Sequence, residues 1–300
     1  MSYDLITVVG VTATGKTKLA VRLASDFNGE IISADSRQVY KGMDIGTGKD
    51  LFEFKKYNVN YHLIDICEPS EEYNLFRFTD DFYISFNEIK RRNKLAFLAG
   101  GTGLYISSIL QSYNLPKIIE QENELNKLSS ISTANLKEIL IGLKQNLHNT
   151  TDLNDRDRII KAILVESSVR KNISGSMKLK SLTIGINLDR EEIKQRITSR
   201  LKKRFTEGMI EEVQSLKKNG ISSSKLESFG LEYKIICQHI DGKLNYNDMF
   251  QKLNSSIHAF AKRQMTWFRK LEREGVEISW FSPDDYSSIR NFVSEKLNEQ

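Results

Sequence analysis

The sequence contains a phosphate-binding loop close to its beginning. An apolar run from Leu5 to Val9 leads into GVTATGKT, which matches the pattern G-x-x-x-x-G-K-[ST]. Glycines let the backbone wrap around an anion, and backbone N–H groups and a lysine ammonium then face its oxygens. The hydroxyl of Thr17 is placed to ligate Mg²⁺. A diphosphate or triphosphate site is therefore predicted at Gly10, Val11, Thr12, Ala13, Thr14, Gly15, Lys16 and Thr17.

A carboxylate follows the next apolar segment. Gly29 to Ser33 has the composition of a buried strand, and ADSRQVY follows it from Ala34. In open α/β sheets the ligand crevice lies beyond the carboxyl ends of the strands, so Asp35 is expected beside the anion. Three roles stay open for Asp35: a general base, a ligand of Mg²⁺ or its waters, and a cap of the next turn.

Three further segments carry weaker signals. The loop GMDIGTGKD, which contains Lys49, is either a phosphate ligand or only a mobile loop. KLAFLA ends in GGTG, a second strand-to-helix junction, where Thr102 either hydrogen-bonds a ligand or caps the helix. His62, within YHLIDI, is interpreted as a strand histidine rather than a catalyst.

Two cationic stretches lie late in the sequence. One repeats its cations at helical spacing, which is typical of a solvated helix face. Its members are Arg196, Arg200, Lys203 and Arg204. The other, AKRQMTWFRK from Ala261 to Lys270, interleaves cations with an aromatic pair. It either stacks bases and neutralises phosphates or packs Trp267 and Phe268 inward, and periodicity leaves both interpretations open.

The elements that position these groups alternate between strand and helix. Apolar segments near residues 5, 29, 61–66, 94–99 and 182–188 predict an α/β fold, a P-loop NTPase-like parallel sheet flanked by helices. Residues 116–180 are polar, helical in period and poor in strand signals, which predicts a helical insertion domain. The core is then 1–115 with 181–300, and everything after Asp189 is predicted to be helical.

Composition excludes several classes of protein. Two distant cysteines and four scattered histidines argue against a zinc site and against a disulfide framework. No apolar run approaches the ~18 residues of a membrane span, and the first strand begins too early for a signal peptide. A cytoplasmic monomer is expected. The net charge of +5 permits a polyanionic partner without requiring one.

Taken together, these segments resemble the tRNA dimethylallyltransferases, which prenylate adenosine 37 beside the anticodon. The resemblance covers nearly the whole chain, in order, through GVTATGKT, ADSRQVYKGMDIGTGK, YHLIDI, GGTGLYI, RI-x-x-R, EGMIEEV and AKRQMTWFRK. Val11 and Asp50 stand where the family usually has proline. FGLEYK, from Phe229 to Lys234, is longer than the family's usual form.

The resemblance implies transfer of a dimethylallyl group from dimethylallyl diphosphate to N6 of the adenosine, with Mg²⁺ as cofactor. It implies Asp35 as the base, Lys16 and Arg200 as cations on the leaving pyrophosphate, and the insertion as an anticodon-loop domain. Contacts with tRNA are implied for a larger set: Asp35, Ser36, Arg37, Gln38, Thr102, Asp157, Arg158, Ile159, Ile160, Lys161, Phe229, Gly230, Lys234, Lys262 and Arg263.

Three other functions are weighed against this one. An adenylate isopentenyltransferase, acting on free AMP, ADP or ATP, would share the loop and Asp35 but would have little use for the insertion or for AKRQMTWFRK. A small-molecule kinase would use the loop as an ATP site, which the motif alone permits. A non-catalytic RNA-binding protein would keep the loop as a structural anion site.

Overall fold

The computed structural model describes residues 3–113, 127–143, 156, 159–160, 162–164 and 178–299. The chain divides into two units, one of Met1–Gln111 with Lys178–Gln300 and the other of Ser112–Met177. In the second unit, Leu136 and Leu140 pack with Ile159, Ile160, Ile163 and Leu164 in a small apolar core. The tRNA-binding role predicted for residues 116–180 stays a prediction.

A parallel sheet lies at the centre of the first unit. Its strands are β1 (Leu5–Gly10), β2 (Gly29–Ala34), β3 (Tyr61–His62), β4 (Leu95–Gly100), β5 (Ser181–Ile186) and β6 (Ser279–Phe281). The six strands lie in the order β3-β2-β4-β1-β5-β6. Because β1, β2 and β4 are buried at every position, their sequences are continuous apolar runs rather than alternating ones. The predicted α/β fold class is confirmed.

Helices follow most of the strands and continue after the sheet. The first four are α1 (Lys16–Asp26), α2 (Leu51–Tyr57), α3 (Leu75–Arg91) and α4 (Gly103–Leu110), and α5 (Thr133–Leu143) belongs to the second unit. After β5 come α6 (Arg190–Thr206), α7 (Met209–Lys218), α8 (Ser223–Ser228), α9 (Leu231–Ile240), α10 (Tyr246–Arg273) and α11 (Tyr286–Asn298). Within the described ranges, no helix is both long enough and apolar enough to cross a membrane.

Both faces of the sheet are covered by apolar cores. Alternate residues of β1 enter different cores, Ile6 and Val8 with residues of α1 and α11, and Leu5 and Val9 with residues of α3, α4 and α10. Phe78, Phe82 and Phe86 of α3 are buried, and Phe78 stacks on Tyr105 of α4 at a ring-centroid distance of 4.0 Å. Such double coverage is what a parallel sheet requires.

The edges of the sheet differ from the prediction. YHLIDI predicts a buried strand over 61–66, but β3 is only two residues long and Tyr61 is 40% exposed. The backbone then turns through left-handed conformations at Leu63 (φ 62°) and Asp65 (φ 57°). At the other edge, β6 pairs with β5. β6 lies after Asp189, in the part of the chain that was predicted to be wholly helical. A strand of three residues is too short to produce a periodic signal.

The carboxyl ends of three neighbouring strands meet at one edge of the sheet. Val9 of β1 and Ala34 of β2 are both in register with Gly100 of β4, so the segments after these strands begin side by side. A Cβ at Gly100 would lie 2.3 Å from the Ala34 carbonyl oxygen, which explains the glycine. The Thr102 N–H donates to the same oxygen at 3.1 Å. This edge therefore places the phosphate loop, Asp35 and the GGTG junction together.

Glu30, at the opposite end of β2, is fully buried among donors. Arg92 Nη2 donates to it at 2.7 Å, the His62 ring lies at 2.8 Å and the Lys94 ammonium at 3.1 Å. Burial by itself raises the pKa of Glu30, but the bonds from Arg92, His62, Lys94 and Asn60 outweigh it and lower the pKa to about 2. His62 is thus a strand histidine with a structural partner, as predicted.

We expect Glu30→Gln to make the free energy of unfolding less dependent on acid pH. A carboxyl whose pKa is lowered on folding stabilises the protein above its unfolded pKa, and this is lost as pH falls through the folded pKa. For Glu30 this stability is lost between pH 4.5 and about pH 2. The ionised carboxylate contributes at most about 3 kcal/mol to the free energy of unfolding. Urea unfolding near pH 7 and near pH 3 measures it.

The control for this experiment is Glu88→Gln, at an exposed position of α3. The wild type and this control should lose more stability between the two pH values than Glu30→Gln does. Equal losses in all three proteins would contradict a stabilising role for the ionised Glu30 carboxylate.

Candidate active site

The loop between β1 and α1 has the backbone form of an anion-binding loop. Ala13 (φ 67°) and Gly15 (φ 84°) are both left-handed, as in the backbone nests that turn successive N–H groups toward one side. The Thr14 hydroxyl donates to the Val11 carbonyl at 2.9 Å and fixes the turn from within. A Cβ at Gly10 would lie 2.9 Å from Thr14 Oγ1, so the first glycine of the motif leaves room for this bond.

Two partly buried cations flank this loop. Both line a cavity beside it, the cation-lined cavity, whose lining also includes Asp35, Arg37 and Arg204. Lys16 is the first residue of α1, and Arg200 reaches from α6 so that its Nη2 donates to the Thr12 hydroxyl. Burial and then the charge of Arg200 lower the pKa of Lys16 to about 8, against the effect of Asp35 and Asp50. Burial also lowers the pKa of Arg200. No ion pair among the described residues includes either cation, so the cavity carries positive charge that an anion would compensate.

In the lining of the cation-lined cavity, two guanidiniums share one buried carboxylate. Glu232 of α9 lies 2.6 Å from Arg37 Nη1 and 3.8 Å from Arg204 Nη1. Burial lowers the pKa of Arg37, but Glu232 outweighs burial and raises it. Arg204 also donates to the Gly46 carbonyl at 3.3 Å. Glu232 lies within FGLEYK, a segment expected from the resemblance to contact tRNA, but its pairing with two guanidiniums was not predicted.

Gln264 of α10 ties the phosphate loop to the segment after β4. Its Oε1 accepts the Thr12 N–H and its Nε2 donates to the Gly101 carbonyl, each at 2.8 Å. Its side chain is buried, and a Cβ at Gly101 would lie 2.5 Å from its amide nitrogen. Gln264 lies within AKRQMTWFRK, but its role was not predicted. Helical spacing alone does not distinguish a buried amide side chain from the cations that neighbour it in the sequence.

Glu212 of α7 fixes the glycine-rich loop from Gly42 to Asp50. Its carboxylate accepts the N–H groups of Asp44 and Ile45 at 2.7 Å and of Gly46 at 3.0 Å. The Tyr233 hydroxyl donates to the same carboxylate at 2.7 Å. A side chain of the protein thus occupies the amides that a phosphate would need. Glu212 lies within EGMIEEV, and this contact with the glycine-rich loop was not predicted from the sequence.

Lys49 has a structural role in this loop. Its side chain is fully buried, and its ammonium donates to the Tyr40 carbonyl at 2.6 Å and to Asp44 at 2.7 Å, and it pairs with Asp65. The two alternatives for the loop, a phosphate ligand or a mobile segment, are therefore both replaced by a loop held through the ion pairs of a buried lysine side chain.

A second cavity, with aromatic walls, adjoins the cation-lined cavity. It has a volume of about 480 Å³, and its lining includes Tyr40, Tyr73, Phe229, Phe260 and Trp267. Asp35 lines both cavities. Its Oδ1 accepts the Arg37 N–H at 3.0 Å, which is the turn-capping role considered above. Its Oδ2 takes no hydrogen bond from the residues that the structure describes, so this oxygen is available to a ligand.

Seven of the fifteen residues predicted to contact tRNA line the aromatic cavity. They are Asp35, Ser36, Arg37, Thr102, Phe229, Gly230 and Arg263. Thr102 is the N-cap of α4, but its hydroxyl accepts the Ser36 N–H at 3.0 Å instead of capping the helix. Gln38 lines the cation-lined cavity, whereas Lys234 and Lys262 are exposed and line neither cavity.

The remaining predicted contacts belong to the second unit. Asp157, Arg158 and Lys161 lie outside the described residues. Ile159 and Ile160 are described, and their side chains are 0% and 4% exposed. Both therefore pack in the apolar core of this unit and present no side-chain surface to an RNA.

The two cationic stretches divide their residues between the site and the surface. The prediction of a solvated face for the stripe on α6 holds only in part. Arg200 and Arg204 line the cation-lined cavity. Arg196 pairs with Glu192 at 2.7 Å at the surface, and the Lys203 side chain is 74% exposed. On α10, Phe268 is buried, and Trp267 lines the aromatic cavity and donates to Ser107 Oγ at 2.7 Å. The inward-packing alternative for AKRQMTWFRK thus holds for its aromatic pair.

Comparison with known proteins identifies the family. The family model described as IPP transferase matches residues 38–271, and one described as isopentenyl transferase matches residues 3–61. A "tRNA dimethylallyltransferase 1" of Azobacteroides pseudotrichonymphae is 50% identical over 93% of this chain and 92% of its own length. A "tRNA dimethylallyltransferase 2" of Syntrophotalea carbinolica is 48% identical over 93% and 94%.

Solved structures agree. The tRNA isopentenylpyrophosphate transferase of Bacillus halodurans is 33% identical, with a TM-score of 0.73 over 98% of this chain and 97% of that one. A eukaryotic dimethylallyltransferase acting on tRNA is 22% identical, with a TM-score of 0.80 over 99% of this chain and 81% of that one, and shows the fold alone. The sheet and its phosphate loop define a P-loop NTPase-like fold. Within that class, the chain belongs to the IPP transferase family.

The pH dependence of diphosphate binding should report the charge of Lys16. Because the pKa of Lys16 is about 8 in the free protein, the cation that attracts the anion is lost above that pH. The Kd for dimethylallyl diphosphate, whose phosphates are ionised above about pH 7, should stay level to pH 8 and then rise by up to about tenfold per pH unit. Calorimetric titration from pH 7 to 10 measures it.

Two variants complete this experiment. Lys16→Ala should bind weakly at all pH values and lack the rise, whereas Lys55→Ala, at an exposed position of α2, should keep it. A rise that persists in Lys16→Ala would assign it to another group.

Proposed function

We propose that this protein transfers a dimethylallyl group from dimethylallyl diphosphate to N6 of adenosine 37 in tRNA and releases pyrophosphate. Membership of the IPP transferase family and relatives named tRNA dimethylallyltransferase support the reaction. The observation that carries the mechanism is the position of Asp35, which lines both the cation-lined cavity and the aromatic cavity. A base at that boundary would serve a reaction between one substrate in each cavity.

The cation-lined cavity suits the diphosphate. As the allylic C–O bond breaks, negative charge gathers on the departing pyrophosphate, and fixed positive groups stabilise that charge as it develops. Lys16 and Arg200 are partly buried cations without an ion pair in the described part of the chain, and Arg200 is held by the Thr12 hydroxyl. We assign the diphosphate to the loop from Gly10 to Thr17 and these two cations.

The aromatic cavity suits an adenine taken out of its stack. Base extrusion costs a few kcal/mol, and aromatic side chains recover part of that cost by stacking on the base. Tyr40, Phe229 and Trp267 supply such surfaces, while Arg263 and Thr102 at the rim supply polar groups for the RNA. We propose that Lys234, Lys262 and the second unit bind the surrounding phosphates of the anticodon stem-loop.

Asp35 would accept the proton from N6. The lone pair of the exocyclic amine is delocalised into the ring, so the amine becomes a competent nucleophile only as its proton is withdrawn. In this step the N6–H proton moves to an Asp35 carboxylate oxygen, N6 bonds to the allylic carbon, and the C–O electron pair leaves with the pyrophosphate. Oδ2, free of hydrogen bonds from described residues, is the acceptor that we assign.

Mg²⁺ fits the outer side of the loop. When bound, Mg²⁺ neutralises charge on a leaving pyrophosphate. Thr17 lines a cavity there with Asp50 and Glu53, and the cations Lys16, Lys18, Arg200 and Lys203 line the same cavity. Hard oxygen donors of this kind are what Mg²⁺ prefers. The Thr17 hydroxyl would hold the ion beside the diphosphate.

We expect Asp35→Asn to reduce kcat about 10²–10⁴-fold, the usual effect of a lost general base, because the amide cannot accept the N6 proton. Binding of tRNA should change by only a few-fold, since the variant keeps the shape of the side chain. Single-turnover transfer with radiolabelled dimethylallyl diphosphate and filter binding of tRNA measure the two quantities. Asp284→Asn, at an exposed position, is the control. Activity of Asp35→Asn within a few-fold of wild type would exclude this base.

The acceptor itself is tested by competition. Incubation with labelled dimethylallyl diphosphate, Mg²⁺, an anticodon stem-loop and AMP should label adenosine 37 of the stem-loop and leave AMP unlabelled. Preferential labelling of AMP would instead indicate an adenylate isopentenyltransferase. Phosphoryl transfer from ATP without prenyl transfer would indicate a kinase.

A further inference from the structure

The cation-lined cavity contains two guanidiniums besides the cations that flank the phosphate loop. Arg37 and Arg204 line it together with Lys16 and Arg200. Burial and then the charge of Arg204 lower the pKa of Arg200, so these two groups lie within electrostatic reach of each other. Left uncompensated, Arg37 and Arg204 would attract an anion with more charge than a diphosphate carries.

Glu232 compensates both of these guanidiniums. Its Oε2 lies 2.6 Å from Arg37 Nη1, and its Oε1 lies 3.8 Å from Arg204 Nη1. The Glu232 side chain is 5% exposed and the Arg204 side chain 9%, so water screens these charges weakly. In the part of the chain that the structure describes, the only other ion-pair partner of either guanidinium is Asp35, whose Oδ1 lies 3.9 Å from Arg37 Nε. Without Glu232, most of this positive charge would be open to a ligand.

The place that a third phosphate would take follows from the geometry of prenyl transfer. The allylic carbon is bonded to an oxygen of the diphosphate at the loop, and it must lie beside N6 and therefore near Asp35. A triphosphate held by the loop through two of its phosphates would carry its third phosphate, on that same oxygen, in the place of this carbon. Arg37 borders this place, because its Nε lies 3.9 Å from Asp35 Oδ1.

We propose that Glu232 makes the site specific for a diphosphate that bears an uncharged group and selects against a triphosphate. By neutralising two guanidiniums, the carboxylate leaves the surroundings of Asp35 without net positive charge, which suits a hydrocarbon group and disfavours a phosphate. Lys16 and Arg200 keep their charge for the diphosphate at the loop. Because the loop motif alone permits either anion, Glu232 supplies the selection that the motif lacks. The inference rests on the proposed function in placing the prenyl group beside Asp35.

Calorimetric titration of the full chain with inorganic pyrophosphate and inorganic tripolyphosphate tests this selection. EDTA is present throughout, so that the two anions are compared without their metal complexes. The wild type should bind tripolyphosphate within a few-fold of pyrophosphate. Glu232→Gln should tighten tripolyphosphate binding about 10–100-fold, because the third phosphate then meets two uncompensated guanidiniums at short range. Pyrophosphate lies farther from them, so its affinity should rise by only a few-fold.

Three further variants separate the effect of charge from an effect on structure. Glu232→Asp shortens the side chain but keeps the carboxylate, so it should keep the wild-type ratio of the two affinities. Glu295→Gln, at an exposed position of α11, removes the same charge from the surface and should leave the ratio unchanged. Adding Arg204→Met to Glu232→Gln should reduce the gain for tripolyphosphate, because it deletes one of the two uncompensated cations.

The proposal is overturned if Glu232→Gln leaves the ratio of the two affinities unchanged, or if Glu232→Asp behaves like Glu232→Gln. A wild type that binds tripolyphosphate more than about tenfold more tightly than pyrophosphate overturns it without any variant. Circular dichroism verifies that the variants are folded. Because both probes are inorganic anions, failure of prenyl transfer would leave these outcomes interpretable. Conversely, an unchanged ratio in an active prenyltransferase would refute the role of Glu232 alone.

Discussion

The structure depends on keeping partly buried positive charge at one edge of a parallel sheet without neutralising it with an ion pair from the described residues. Lys16 and Arg200 stand beside the phosphate loop, and burial lowers the pKa of both. Holding cations away from water costs free energy, which the fold sustains through its packed cores on both sheet faces. An incoming diphosphate would relieve this cost, so the arrangement favours an anion with several charges.

Two helix carboxylates limit this excess of charge. Glu232 pairs with Arg37 and lies near Arg204, while Glu212 occupies the backbone amides of the glycine-rich loop. Both come from helices that lie between β5 and β6 in the sequence. These helices therefore do more than cover the sheet. Their carboxylates bind some of the positive groups, which become part of the framework, and leave the others available to a ligand.

The sequence was sufficient where function is local. The phosphate loop and Asp35 are recognisable because strand, turn and helix are consecutive, and the register of β1, β2 and β4 then brings them together. Gln264, which contacts Thr12 from 252 positions away, was out of reach of any local pattern. Glu232 and the burial of Lys49 were missed for the same reason. The short edge strands escaped because two or three residues carry no periodicity.

The bridge made by Gln264 gives the two cavities a common wall. A diphosphate that recruits the Thr12 N–H must take it from the Gln264 carbonyl, and the same amide group lines the aromatic compartment and binds Gly101. By thermodynamic linkage, such an exchange is reciprocal. If a diphosphate in the cation-lined cavity changes the affinity of the aromatic cavity for its ligand by some factor, that ligand changes the affinity for the diphosphate by the same factor. A single side-chain amide would then couple the affinities of the two cavities for their substrates.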